Sequence, residues 1–341
     1  MKKIFILILV LALIQSALFA DIFPKAGTAG LQFLKLGIDA RAVGMGQAYT
    51  AYTNDASSSY WNPAGLALLR RNELFINHIS WPANINYEYA TYAYVTTMGT
   101  FAISSGILHM DYMDITDEDT FGPTGEEFTC GDAMVGASYA VSLTDKFSFG
   151  GTVKYLREYL YEYDVNGWSV DVGTLYNTGW KNLTIGMSLR NFGPNLRYKV
   201  DNDEDGEYDE DPYDWLDNDG DGKIDEDGEE LLFPIPMNFS LGVAIDIIKE
   251  QNQGLNAVLQ LDNCIDRQET WNIGAEYRYK NLFLRSGYQF EYDTNGLSFG
   301  VGVKIPTSFA ILKIDYAYTD MGDLVETFLK GAHRLSLKFS F

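Results

Sequence analysis

From residue 72 onward the chain is written in runs of roughly ten residues that alternate apolar and polar side chains, the length at which a tilted strand crosses a bilayer. In the last run Leu335, Leu337, Phe339 and Phe341 fall on one side, and Arg334, Ser336, Lys338 and Ser340 on the other. Leu255, Ala257, Leu259 and Leu261 alternate in the same way with Asn256, Gln260 and Asp262. So do Phe239, Leu241, Val243, Ile245 and Ile247 with Asn238, Ser240, Gly242 and Asp246. Successive side chains of a strand point to opposite faces, so each run has one greasy and one polar face. In hydrocarbon every backbone N–H and C=O must be paired within the protein, which a sheet achieves by closing on itself. Fourteen runs are recognised, at 72–81, 86–96, 99–109, 131–143, 146–159, 166–177, 181–191, 236–247, 254–263, 270–279, 281–291, 296–305, 308–319 and 330–341. The number is even, as single-chain bacterial barrels require. The pattern predicts an all-β transmembrane protein: a 14-stranded antiparallel outer-membrane β-barrel over 71–341.

The connections sort by length. Those after even-numbered runs are short, as at Thr97-Met98, Thr144-Asp145, Thr178-Gly179-Trp180, Lys280 and Pro306-Thr307, with 248–253 the longest. Those after odd-numbered runs include 110–130, 192–235 and 320–329. Short periplasmic turns and long external loops are the expected asymmetry, which places both termini in the periplasm. A soluble β-sandwich or propeller, the competing fold, has no reason to sort its loops this way. Charged residues at 21% and aromatics at 14%, with 23 Tyr and 20 Phe, suit strands that face lipid on one side. The final strand ends on Phe341, an aromatic ending typical of outer-membrane barrels.

Residues 1–20 read as a signal peptide: Lys2 and Lys3, an apolar core from Ile4 to Ile14, and an end near Ala17-Leu18-Phe19-Ala20. Residues 21–70 do not alternate and read as a compact N-terminal plug. Leu31, Leu34 and Ile38 fall at approximately helical spacing, and Asp55 is a candidate N-cap for a short helix through Trp61. Asn62-Pro63 would end that helix, because proline disfavours helical geometry in the residue before it. The bend reads as a structural turn wedging the plug into the barrel; the alternative is a gate or ligand-facing bend.

Within this region, Ala40-Arg41-Ala42-Val43-Gly44-Met45-Gly46-Gln47-Ala48-Tyr49, Asn54-Asp55-Ala56 and Trp61-Asn62-Pro63-Ala64-Gly65-Leu66 resemble the N-terminal signature of the PorV/PorQ family of outer-membrane barrels. That family is related in fold to the FadL long-chain fatty acid channels, whose plug also carries an Asn-Pro-Ala element. Gly44, Gly46, Asn62, Pro63, Ala64 and Gly65 are the plug-motif residues that the resemblance picks out. It implies a type IX secretion component whose partners are the translocon, attachment-complex proteins or secreted cargo, met through external loops and rim. The alternative it leaves open is a FadL-like channel for long-chain fatty acids or other hydrophobic solutes, with the plug obstructing the lumen.

The net charge of −22 is concentrated: residues 201–230 carry 17 Asp or Glu and one Lys, a net of −16, so the rest of the chain holds only −6. The sequence carries no run of basic residues of the kind that tracks a nucleic-acid backbone, so no nucleic-acid partner is expected. The external insertion 195–235 contains a doubled motif. Asp201, Asp203, Asp205, Asp209 and Asp211 recur sixteen residues on as Asp217, Asp219, Asp221, Asp225 and Asp227. Alternate carboxylates followed by Gly206 or Gly222 supply hard oxygen ligands and the tight turn that one Ca2+ needs. An EF-hand would need Glu at loop position twelve, where Pro212 and Gly228 stand. The repeat instead resembles the short calcium repeats of thrombospondin type 3 modules, with Asp209 or Asp211, and Asp225 or Asp227, closing each site. The competing reading is a solvated, self-repelling acidic loop.

Enzymatic signals are weak. The three histidines are His78, His109 and His333, and neither Gly-x-Ser-x-Gly nor His-Glu-x-x-His occurs. Gly44-Met45-Gly46 lacks the third glycine of a dinucleotide loop. Cys130 and Cys264 fall near the external ends of non-adjacent strands, so two free thiols are expected, although export permits a disulfide.

Overall fold

The structure is a computed structural model and describes residues 27–81, 84–116, 122–160, 163–198, 231–290, 296–320 and 331–341. Its first ring strands are β1 (Glu73–Ser80), β2 (Asn86–Thr96) and β3 (Gly99–His109). A two-residue ribbon follows, β4 (Met113–Asp114) with β5 (Glu127–Phe128). The wall resumes with β6 (Cys130–Ser142), β7 (Phe147–Leu160), β8 (Tyr163–Asn177) and β9 (Thr184–Phe192). A second ribbon pairs β10 (Leu196–Tyr198) with β11 (Leu231–Phe233). Then come β12 (Asn238–Lys249), β13 (Gln253–Cys264), β14 (Thr270–Tyr279), β15 (Leu282–Phe290), β16 (Leu297–Pro306), β17 (Ile311–Asp320) and β18 (Gly331–Ser340). Fourteen of these close into one antiparallel barrel, the last strand pairing with the first from Glu73↔Ser340 to Ser80↔His333. Each of the fourteen sequence runs is a wall strand, and 86–96, 99–109 and 270–279 match to the residue.

The burial pattern is inside out, as the alternation requires. Lys338 is 0% exposed and Arg334 3%, whereas Leu335 between them is 45% exposed. Ile103, Val135, Val153, Leu284 and Val301 face outward in the same way. Apolar atoms on the outer face need no burial when the solvent is lipid, and the polar inner positions must find partners inside. No helix among the described residues is long and apolar enough to cross a membrane, so only strands can span.

The two short ribbons lie between β3 and β6 and between β9 and β12, in the connections opposite the short turns. Runs of two or three residues carry no readable period, so alternation does not reveal them. The β10–β11 ribbon is the base of the acidic insertion, with Leu196 opposite Phe233. The insertion's Asp201–Asp227 motif and the proposed signal peptide lie outside the described residues. Both cysteines are free, Cys264 buried and Cys130 half-buried.

Candidate functional site

The segment 27–69 is threaded through the ring and touches strands on opposite sides of it. It is held by brief turns: 3-10 helices at Gln32–Lys35 and Pro63–Leu68, and single α-turns at Ala40–Val43 and Ser58–Trp61. The backbone N–H of Ala40 donates to Ser336 Oγ on β18 at 2.8 Å. Those of Tyr49 and Thr50 donate to Gln260 Oε1 on β13 at 2.9 and 2.8 Å. Asn62 Nδ2 donates to the Thr174 carbonyl on β8 at 3.1 Å, and the Ser59 hydroxyl meets Thr91 on β2 at 3.0 Å. β2 and β13 lie half a turn of the barrel apart.

Two local expectations are corrected. The helical spacing of Leu31, Leu34 and Ile38 yields only one 3-10 turn, with Leu31 in the left-handed region at φ 49°. Asp55 is not the N-cap: the turn begins at Ser58, with Ser57 in the cap position and no side-chain cap. The Asp55 carboxylate is divided: Oδ1 accepts the Ser57 N–H at 3.2 Å and the Ser57 hydroxyl, while Oδ2 lies 2.7 Å from Lys338 Nζ and 3.3 Å from Arg41 Nη1. The stop at Asn62-Pro63 is as the proline dictates: the helix ends at Trp61 and Asn62 is extended.

The segment presents three different surfaces to the wall. Toward β1 and β2 it is aromatic. Phe33 meets Tyr87 edge-on at 5.9 Å, Tyr60 meets Tyr89 at 5.9 Å, and Trp61 packs on Tyr60 and Tyr49. Such pairs favour edge-to-face geometry, and they fill volume with rigid groups. The Tyr60 hydroxyl donates to the carbonyls of Leu34 and Leu36, and burial pushes its phenol up to about 12.

Toward β14 to β18 the surface is ionic. Lys338 Nζ is shared by Asp39 and Asp55, each at 2.7 Å. Arg41 Nε pairs with Glu276 at 3.0 Å, Glu276 with Arg285 at 2.7 Å, and Arg285 with Asp315 at 2.7 Å. All are buried, where charges persist only when paired and hydrogen-bonded. Burial raises the Asp39 carboxyl above the ordinary range, and Lys338 offsets this only in part. Burial acts on Asp55 in the same direction, but Lys338 and Arg41 outweigh it and hold that carboxyl well below the usual range. Arg41 also lies over the Tyr52 ring at 4.8 Å.

Against β7 to β9 and β12, and again at β14 and β15, the segment meets bare backbone. Inward-facing glycines form three cross-strand pairs, Gly150–Gly173, Gly186–Gly242 and Gly274–Gly287. A Cβ at Gly287 would overlap the Met45 carbonyl carbon, and one at Gly173 would overlap the Asn62 amide oxygen. The strands lose side chains where the segment needs room for its main chain.

Here the motif residues find their places. Gly44 lies against the backbone of Gly300 on β16, and Gly46, at φ +63°, lies against Gly287 and Tyr288. Pro63 opens the 3-10 helix against Gly150, and Ala64 is fully buried. Asn62 accepts from the Ala64 N–H, and Gly65 is packed on Thr53 and Ser58. The ten aspartates of the calcium motif lie outside the described residues, and no metal-binding group of carboxylates, His or Cys occurs among the described ones. Sequence reasoning missed the glycine pairs and the charge chain. Their signal was a glycine on the polar face of strands such as β7, β8, β9 and β12, and a carboxylate or base on that face of β14, β15, β17 and β18.

A cavity of about 20 Å³ lined by Leu34, Trp61, Arg190, Asn191, Asp262 and Cys264 is the size for a single water. Arg190 stacks over Tyr60 at 5.1 Å and Trp61 at 5.3 Å. Lys154 and Asp171 form a further inner ion pair at 2.8 Å.

A closed barrel, apolar outside and charged within, defines a β-barrel of the outer membrane. Similar solved structures include the toluene transporter TodX of Pseudomonas putida, with TM-score 0.56, 12% identity and 89% and 96% of the two chains covered. The toluene transporter TbuX of Ralstonia pickettii gives 0.51 at 12% identity, over 89% and 97%. A FadL homologue of Pseudomonas aeruginosa gives 0.51 at 13%, over 89% and 97%. At such identity the likeness is one of fold. The family model of the type IX secretion system protein PorV matches residues 23–213, more than half of the chain, and the chain belongs to that family. No curated protein matches it.

Proposed function

We propose that the chain works in type IX secretion as a docking barrel, receiving exported proteins or attachment machinery at its external rim. The observation that carries this reading is the segment 27–69 seated in the ring on ion pairs and glycine contacts; acting as a plug, it would leave the outside of the mouth as the working surface. The family match supplies the pathway. The acidic insertion stands on the β10–β11 ribbon, and calcium held by its two aspartate repeats would order it as part of that surface. External calcium sites of this kind bind at about 0.1–1 mM, so chelation would loosen the surface without unfolding the barrel.

The second reading is uptake of a hydrophobic solute, favoured by the fold shared with the toluene transporters. It needs the plug to shift to make a path. Affinity capture from native outer membranes separates the two. Docking predicts that a translocon or secreted protein co-purifies, and that chelating calcium reduces it. Recovery of the barrel alone, with toluene or fatty-acid uptake lost on deletion, would establish transport instead.

A further inference from the structure

The end of the barrel that carries the short turns is basic. Arg70, Arg71, Lys146, Lys181, Lys249 and Lys280 are exposed there, against exposed Asp145 and Glu250. Asp246, partly buried, is held by Asn182 and lies 3.5 Å from Lys249. The opposite rim exposes Asp111, Asp114, Glu126, Glu127, Asp164 and Glu269 against Arg157 and Arg197, a net negative balance. Charge is therefore polarised along the barrel axis, a separation that selects what each end meets.

We infer that this basic rim binds anionic phospholipid headgroups of the periplasmic leaflet. The distribution carries the inference. The bases sit just before β1 and in the β6–β7, β8–β9, β12–β13 and β14–β15 turns, which places them around the ring and not on one side of it. A protein partner approaches from one direction, whereas a leaflet surrounds the barrel.

The bases are also set among apolar anchors. Lys181 lies 5.4 Å from the Trp180 ring and Lys280 5.6 Å from the Tyr279 ring. Trp180 is 60% exposed, Phe309 81% and Leu143 61%. An exposed aromatic beside an ammonium is the pairing found where acyl chains give way to headgroups. Arg70 and Lys146 line a recess of about 570 Å³ whose other walls include Ala67, Leu68 and Leu175. That recess, which Asp145, Ser148 and Asn177 also line, opens at the mouth of the barrel and sets two cations where a headgroup phosphate at the rim can reach them.

The test uses the full-length barrel in phosphatidylcholine vesicles with a trace of spin-labelled lipid, comparing association of phosphatidylglycerol with that of phosphatidylcholine. Phosphatidylglycerol is expected to be preferred about fivefold at low salt, falling toward parity at molar salt. In the variant R70E/K146E/K181E/K280E the preference should vanish while heat-modifiable gel migration shows an intact barrel. Should that variant fail to fold, the salt titration of the native protein decides alone. Equal association of both lipids with the native protein overturns the inference. So does a preference that survives both salt and the variant, or one absent while the variant loses an acidic periplasmic protein.

Discussion

Replacing Lys338 by methionine will destabilise the folded protein by about 3–5 kcal/mol, the cost of removing one partner from a buried charge cluster. Methionine keeps the length and apolar stem of the side chain, so packing against Phe75 changes little and the loss is electrostatic. Two carboxylates, Asp39 and Asp55, would then be left in the lumen without the ammonium they share. The pH dependence separates this from a packing defect. Asp55 is held below the ordinary range in the folded protein, so its contribution is present above the unfolded value near 3.9 and fades as pH falls through the folded value. Asp39 is raised, so its contribution has the opposite sign: present below the unfolded value and lost as pH rises through the folded one. In Lys338→Met both carboxyls gain by protonation, and the deficit relative to the native chain should shrink on acidification. Urea unfolding in detergent micelles at pH 8 and pH 4 measures it. A deficit under about 1 kcal/mol, or one independent of pH, would mean the cluster is not what pins the segment.

The second large effect is expected at Gly287. Valine there must push into the main chain of Met45, which cannot step aside as a flexible side-chain tip could. Overpacking of this kind costs about 3 kcal/mol or more, roughly a hundredfold in the population of displaced segment. The wall should still form, because its closure rests on ladders that Gly287 joins only through backbone. Proteolysis is the readout: the native chain should resist cleavage at Lys35 and Arg41, both held in ion pairs, and Gly287→Val should be cut there while the barrel survives. Resistance equal to that of the native chain would show that the glycine pairs are not a seat.

The wall was legible in the sequence because strand period and bilayer thickness together fix length, parity and face. Leu335 outward and Lys338 inward could be read from alternation alone. The segment before β1 was legible as non-alternating, and Asn62-Pro63 as a stop, since proline acts locally. What Lys338 pairs with could not be read, because Asp39 stands 299 positions away and only the closed ring brings them together. Asp55 was legible only in part for the same reason: one oxygen makes the local bond to Ser57, and the other meets two cations reached through the fold. The glycine pairs are visible only once register is known, since Gly274 and Gly287 face each other across a hairpin.

Conductance in planar bilayers tests most directly the claim that the chain fills its own barrel. The native protein should insert without steady open-channel current, and Gly287→Val or a chain lacking residues 27–69 should conduct. Sustained ohmic steps from the native protein, indistinguishable from those of the truncated one, would contradict a filled lumen and the docking role built on it.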